Sequence, residues 1–376
     1  MIFEEKYLLR CLELAKNGLG NVAPNPMVGC IIVHNNKIIG EGYHQEYGKA
    51  HAEVMAIHSV KDKSLLKEST LYVNLEPCAH FGKTPPCANL IVEHNIPRVV
   101  IGCIDSFSEV AGKGIEKLKN TGIEVIVGVL EKESLELNKR FFTFHYKKRP
   151  YVILKWAETK DGFIDIVRHC EELRETKQSN LPKQKTDNFV PLHSTRNDVD
   201  NWITSPLSKK LVHKWRSEEA SIMVGTNTAL NDNPQLNVRE WKGKNPTRIV
   251  IDLHDRLPKS LHVFDKNVPT LVFSLTKETE EKNLVFVKVK NEKKLIEEVL
   301  SELYKRNIQS VIVEGGTTLL QSFINQNLWD EARIFIGNKN FITGLKAPKI
   351  NGKLLSQENI NGDVLTIYSY SPLERG

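Results

Sequence analysis

Three short runs, "TLYVNL" (70–75), "RVVIGCI" (98–104) and "IEVIVGV" (123–129), carry apolar and β-branched residues at nearly every position. Such runs read as strands buried on both faces, which ordinarily pair in parallel under a cover of helices. The stretches around 86–95, 112–120 and 131–146 have the length and pattern for those helices. The alternation therefore predicts an α/β layer rather than a helical bundle or a β-sandwich. Upstream, residues 3–16 predict a helix, with Tyr7, Leu8, Cys11, Leu12, Leu14 and Ala15 at helical spacing. "MVGCIIVHNNKIIGEGYH" (27–44) predicts two strands joined by an Asn-Asn turn, and 51–60 a helix.

A basic, proline-ended break, "YKKRP" (146–150), interrupts this pattern, which restarts at "YVILKWA" (151–157). Strand-like runs recur at "ASIMVG", "TRIVID", "TLVFS" and "SVIVEGG", with helices expected over 206–218 and 291–306. Two α/β units follow, at 1–147 and 150–376, in keeping with a 376-residue chain at roughly 100–200 residues per domain. A polar, charge-rich stretch near 163–200 reads as an insertion in the second unit.

Composition narrows the class of function. The net charge of +6 is the residue of 52 basic against 46 acidic side chains, and no Lys/Arg block concentrates it, so a nucleic-acid partner is not expected. The N-terminus lacks the basic start and apolar run of a secretion signal. No run approaches membrane-spanning length, so no membrane partner is expected. Six cysteines in such a chain point to a reducing cytoplasm, where cysteines near a histidine read as metal ligands rather than as disulfides.

Such a grouping is present. His51 and Glu53 stand two apart at the start of a predicted helix. Cys78 follows the strand "TLYVNL" and should open the next helix, whose positive end favours a thiolate; Cys87 follows Pro86. Catalytic zinc takes three protein ligands and leaves a fourth position for water, so His51, Cys78 and Cys87 suffice for one Zn2+ per chain. Glu53 would then move protons without binding the metal. Taken singly, each residue reads as ordinary core; a closed structural site would need a fourth ligand, for which His80 is the nearby candidate. The combined H-x-E…P-C pattern is that of zinc deaminases.

The stretches "PNPMVGC", "GYHQEYGKAHAE" and "LEPCAHFGKTPPC" resemble the deaminase half of the bifunctional riboflavin-biosynthesis deaminase/reductase family, including its eight-residue spacing between the cysteines. "ILKWAETKDG", "NWITS", "LVHKWRSEEASIMVGTNTALNDNPQLNVR" and "VIVEGGTTLL" resemble the reductase half. The resemblance implies a cytidine-deaminase-like three-layer α/β/α domain followed by a dihydrofolate-reductase-like α/β domain. It implies two reactions on phosphorylated pyrimidines: hydrolytic loss of ammonia from a diaminopyrimidinone bearing a ribosylamino phosphate, then NADPH-dependent reduction of the ribosyl group to a ribityl chain. A homo-oligomer is also expected.

Carried over by motif, Asn25, His44 and Lys83 would face the deaminase substrate. Lys155, Asp200, Arg216, Leu236, Arg239 and Glu314 would face the reductase substrate. Ala157, Trp202, Thr228, Asp232 and the run Gly316, Thr317, Thr318, Leu319, Leu320, Gln321 and Ser322 would face NADPH. The chemistry agrees: arginines grip phosphate through paired donors, and a strand-Gly-Gly-helix turn lets a phosphate approach backbone N–H groups. "VGTNTALNDNP" reads as a second strand-to-loop unit. Asp200 stands where the family often has serine, and Leu253 where a small polar residue is expected. Two other readings use the same motifs: another nucleobase or tRNA adenosine deaminase fused to an unrelated reductase, and a noncatalytic zinc-held binding module.

Overall fold

The structure is a computed structural model and describes residues 3–79, 85–105, 112–165 and 202–370. Helix α1 (Phe3–Lys16) leads into the hairpin β1 (Gly29–His34) and β2 (Lys37–Tyr43). Its turn residues Asn35 and Asn36 both take positive φ, 47° and 62°, a conformation asparagine tolerates better than most residues. Then follow α2 (Ala52–Ser59), β3 (Thr70–Leu75), α3 (Cys87–Glu93), β4 (Arg98–Cys103), α4 (Lys113–Asn120), β5 (Glu124–Val127), α5 (Glu131–Leu137) and α6 (Lys139–Lys147).

The strands form one sheet in the order β2-β1-β3-β4-β5. β3, β4 and β5 are parallel, and β1 runs antiparallel to both neighbours. The two-residue period of a strand sorts the side chains between two cores. Ile31, Val33, Tyr72 and Val100 pack against α1, while Cys30, Ile32, Leu71, Val73 and Val99 pack under α2, α3 and α4. Helix α2 lies directly on the hairpin: a Cβ on Gly42 would collide with Ala56 N and Met55 Cβ. That close approach holds the N-terminus of α2 over the sheet.

The second half contains β6 (Tyr151–Glu158), β7 (Phe163–Asp165), α7 (Pro206–Glu218), β8 (Ser221–Gly225), α8 (Thr226–Asp232), β9 (Thr247–Ile251), β10 (Thr270–Ser274), β11 (Thr279–Glu281) and β12 (Leu284–Lys288). It ends with α9 (Leu295–Lys305), β13 (Ser310–Val313), α10 (Thr317–Asn325), β14 (Glu331–Ile336), β15 (Leu345–Lys346), β16 (Lys353–Ile360) and β17 (Asp363–Ser369). Ten of these strands form a mixed sheet, β11-β12-β10-β9-β8-β13-β6-β14-β17-β16, parallel from β12 to β14. α9 and α10 cover one face, burying Val299, Leu303, Leu320 and Phe323 against Val152, Leu154, Val311 and Val313. At about 1.5–3 kcal/mol per large apolar side chain, this layer is the main stabilising contact of that half. α7 covers the other face through Val212 and Trp215, which meet Ile153, Ile312 and Phe335.

Three local expectations differ from the structure. The helix near Cys78 begins at Cys87, because Pro85 and Pro86 set its start, and Cys78 sits in irregular chain after β3. The stretch 131–146 is two helices, broken at Asn138, whose side chain is committed to Met27. "TNTALND" is a short helix, closed by Asn233 at φ 40°, rather than a loop. Of the insertion near 163–200, residues 166–200 lie outside the described residues.

Candidate active sites

The carboxyl ends of β3 and β4 meet the start of α2, the usual place for a ligand site in a parallel sheet. His51 is the N-cap of α2, and Glu53 lies in its first turn. His51 Nδ1 stands 3.3 Å from Cys87 Sγ and 3.6 Å from Cys78 Sγ. All three donor atoms lie within 4.8 Å of one another, and they are the group of three that could hold a metal among the described residues. Tetrahedral zinc, with bonds of about 2.0–2.3 Å, needs donor-to-donor edges of roughly 3.5 Å. The donor set fits in both chemistry and spacing.

The electrostatics suit deprotonated sulfur. The Cys87 thiol and His51 pull Cys78 down to about 4, against burial, and the Cys87 N–H adds a bond to Cys78 Sγ at 3.3 Å. Cys78 and burial push the Cys87 thiol well up. Glu53 is 3% exposed, and burial pushes its carboxyl up to about 7, with His51 opposing.

Beside these groups opens a cavity of about 410 Å³. Asn25, His44, Lys49, Asp105, Phe141 and His145 are among the residues that line it. Asn25 Nδ2 donates to His44 Nε2 at 3.1 Å, and His44 Nδ1 is 3.0 Å from Ala50 O, which fixes the ring. Burial lowers the His44 pKa. Asn25 and His44 are therefore brought to the metal cluster; Lys83 and His80 lie outside the described residues.

Sequence reasoning overlooked two braces of this site. Glu76, 3% exposed, accepts the N–H groups of Gly112 and Gly114 at 2.9 Å, of Ile115 at 3.2 Å and of Asp105 at 3.3 Å. It fixes the chain two residues ahead of Cys78. Asn74 accepts from Gly29 N at 2.7 Å and donates to Met27 O, holding the segment that carries Asn25. The available signal was a polar residue inside an otherwise apolar strand and another at its end.

The second site lies at the carboxyl ends of β6, β8 and β13. Glu314 follows β13, and its carboxylate accepts from Arg216 Nε at 3.0 Å and Nη2 at 2.7 Å. Lys155, on adjoining β6, is close enough for Glu314 to raise its pKa while burial, the larger effect, lowers it. Burial opposes the charge on Glu314, yet Arg216 and Lys155 hold it at about 2. Arg239 comes to the same rim: its N–H donates to His213 Nδ1 at 3.2 Å, and Arg216 repels its charge.

Leu236 reaches this loop with φ 49°, but its side chain is 2% exposed in the core, leaving its main chain toward the rim. Asp200 lies outside the described residues.

A glycine turn follows Glu314 directly. Gly315, at φ 118°, and Gly316 lead into α10, and a Cβ on Gly316 would approach Thr228 Oγ1 at 3.2 Å. Thr317 Oγ1 is buried there without a hydrogen-bond partner. An orphaned hydroxyl at a helix N-terminus beside two glycines fits a dinucleotide phosphate. Gly316, Thr317 and Thr318 form this end. Leu319 and Leu320 are core, and the Gln321 and Ser322 side chains bond within the helix or to Lys349. Ala157 sits on β6 opposite Phe335, and Asp232 closes α8. Trp202 is 52% exposed under Lys209 Nζ rather than part of the core. Leu253, near the end of β9, packs against the core.

Comparison with known proteins covers both halves of the chain. Residues 1–103 match the cytidine and deoxycytidylate deaminase zinc-binding region, and residues 193–363 match the RibD C-terminal domain. The riboflavin biosynthesis protein RibD of Aquifex aeolicus is 38% identical over 361 residues, covering 94% of this chain and 89% of that protein. That of Escherichia coli is 31% identical over 355 residues, covering 89% and 88%. Among solved structures, a diaminohydroxyphosphoribosylaminopyrimidine deaminase/5-amino-6-(5-phosphoribosylamino)uracil reductase of Thermotoga maritima superposes with TM-score 0.82 at 37% identity over 98% of each chain. Acinetobacter baumannii RibD superposes at 0.81 and 29%, covering 98% of this chain and 99% of that one. A deaminase-like N-terminal fold joined to a dihydrofolate-reductase-like C-terminal fold, with no described helix long and apolar enough to cross a membrane, places this chain in the RibD family, the bifunctional deaminase/reductases of riboflavin biosynthesis.

Proposed function

We propose that the first site deaminates 2,5-diamino-6-(5-phosphoribosylamino)pyrimidin-4-one and that the second reduces the ribosyl group of the deaminated product. The observation that carries the reading is the triangle of His51, Cys78 and Cys87 with a buried carboxylate, Glu53, beside a cavity of about 410 Å³. His51, Cys78 and Cys87 would hold zinc, which supplies a water acidified for attack on the amine-bearing carbon. Glu53 takes a proton from the attacking water and hands it to the departing amine. Asn25 and His44 hold the pyrimidine edge, and Lys83 takes the ribosyl phosphate end.

In the second site NADPH supplies the hydride for C1′ of the ribosyl group. The Gly316–Ser322 run, chiefly its first three residues, holds the cofactor's phosphates, with Thr228, Asp232, Ala157 and Trp202 around the remainder. Lys155 and Glu314 orient the sugar, Arg216 and Arg239 attract the phosphate, and Leu236 and Asp200 border the substrate. In this reading the chain divides at 1–147 and 150–376, works in the cytoplasm as a homo-oligomer, and has no nucleic-acid partner.

The test is incubation with the diaminopyrimidinone, with and without NADPH, followed by mass analysis. The product without NADPH should have lost ammonia and gained water, a net exchange of NH for O; with NADPH it should also gain two hydrogens. Ammonia loss without any NADPH-dependent product would refute the second half of the reading.

A further inference from the structure

The wall of the deaminase cavity is not built from the first half alone: Asn307 and Gln309, which follow α9 in the second half, also line it. Gln309 is 4% exposed and held at both ends. Its carbonyl accepts Tyr151 N–H at 2.8 Å, which anchors it where the neighbouring strands β13 and β6 begin. Its side-chain Nε2 donates to Pro24 O at 2.6 Å. Pro24 immediately precedes Asn25, whose amide bonds His44. The approach is stiff, because several contacts fasten α6 to the second half. Phe144 packs on Tyr304 with ring centroids 4.6 Å apart. Arg140 pairs with buried Glu219, and Lys147 with Asp330 at 2.8 Å.

We infer that Gln309 is a positioning residue for deamination: the reductase half, through its carboxamide, holds the Pro24–Asn25 segment in the register that presents Asn25 to the pyrimidine. This rests on the reading of Asn25 as substrate-facing. A segment between two prolines has one free N–H fewer at each proline to tie it down, so an outside donor has a clear role. The hydrogen bond crosses between halves, and the deaminase site is incomplete without it.

The test uses the full-length, zinc-loaded enzyme and its diaminopyrimidinone substrate. Gln309→Met keeps the volume and removes the donor; Gln309→Asn keeps the amide but stops one methylene short. Either should raise the deaminase KM roughly tenfold, the effect of losing one buried hydrogen bond, with kcat changed far less. NADPH-dependent reduction of the pre-deaminated substrate should be unchanged. In an Asn25→Ala background, adding Gln309→Met should raise KM no further, since both act through one contact. If Asn25→Ala raises KM but the Gln309 variants do not, or if the two effects multiply, the proposal is wrong and the site reading stands. If Asn25→Ala leaves KM unchanged, the reading of Asn25 fails and the proposal falls with it. Loss of reduction in both Gln309 variants would show a general packing role and also overturn it.

Discussion

Replacing Glu314 by glutamine keeps its shape and removes its charge. In the native enzyme its carboxylate engages Arg216 at 3.0 and 2.7 Å with Lys155 alongside, and the carboxyl is held at about 2 against an ordinary 4.5. The folded value lies below the unfolded one, so between pH 4.5 and 2 the unfolded chain binds more protons. The ionised group therefore stabilises the fold fully above about pH 4.5, and that contribution is lost as pH falls toward 2. At ~1.4 kcal/mol per pH unit, it amounts to about 3 kcal/mol at neutral pH. For a unit of this size each kcal/mol moves the thermal midpoint by about 2–4 °C, so Glu314→Gln should lower the midpoint of the second half by about 6–12 °C at pH 7. By pH 3 the gap should shrink to roughly half. Calorimetry at both pH values measures this. NADPH oxidation should be lost and ammonia release kept, because the pair faces only the second site. A variant that melts with the native protein at pH 7, or whose deficit is the same at pH 3, would refute the argument.

Three further outcomes follow from the first half. Gly42→Ala puts a methyl group into the backbone of α2, so it should cost about 1–3 kcal/mol and depress ammonia release more than NADPH oxidation; melting and the two assays on one preparation test it. Glu76→Gln leaves one carbonyl oxygen where two carboxylate oxygens receive four N–H groups. It should cost about 1.5–3 kcal/mol and make zinc easier to extract, read by competition with a chromophoric chelator. Chelation of the native enzyme should abolish ammonia release while reduction of pre-deaminated substrate proceeds, because the group of metal donors among the described residues lies in the first site.

The strongly patterned elements were legible in the sequence for a physical reason. β3, β4 and the hairpin are buried on both faces or fixed by Asn35-Asn36, so local chemistry and tertiary packing ask for the same residues. α7 was legible at its full length because Ser205 caps it and Pro206 opens it. What was not legible depends on partners distant in sequence. β16 and β17 were not foreseen: β16 is an edge strand with most side chains exposed, so no apolar alternation marks it. The break at Asn138 serves Met27, 111 residues away. The helix start at Cys87 rather than Cys78 turned on the weight given to the two prolines. In the sites, the grouping of His51, Cys78 and Cys87 was readable because metal chemistry restricts residue type. Gln309 and Glu76 were not, because their roles exist only through bonds to backbone atoms that the fold brings near.

The central claim is an open, three-ligand metal site served by a carboxylate that moves protons. Zinc content and ammonia release, measured together on full-length Glu53→Gln, test it most directly. The account predicts one zinc per chain, as in the native enzyme, with ammonia release reduced by about 10²–10⁴-fold. A variant that keeps its zinc and releases ammonia within a few-fold of the native rate would contradict it.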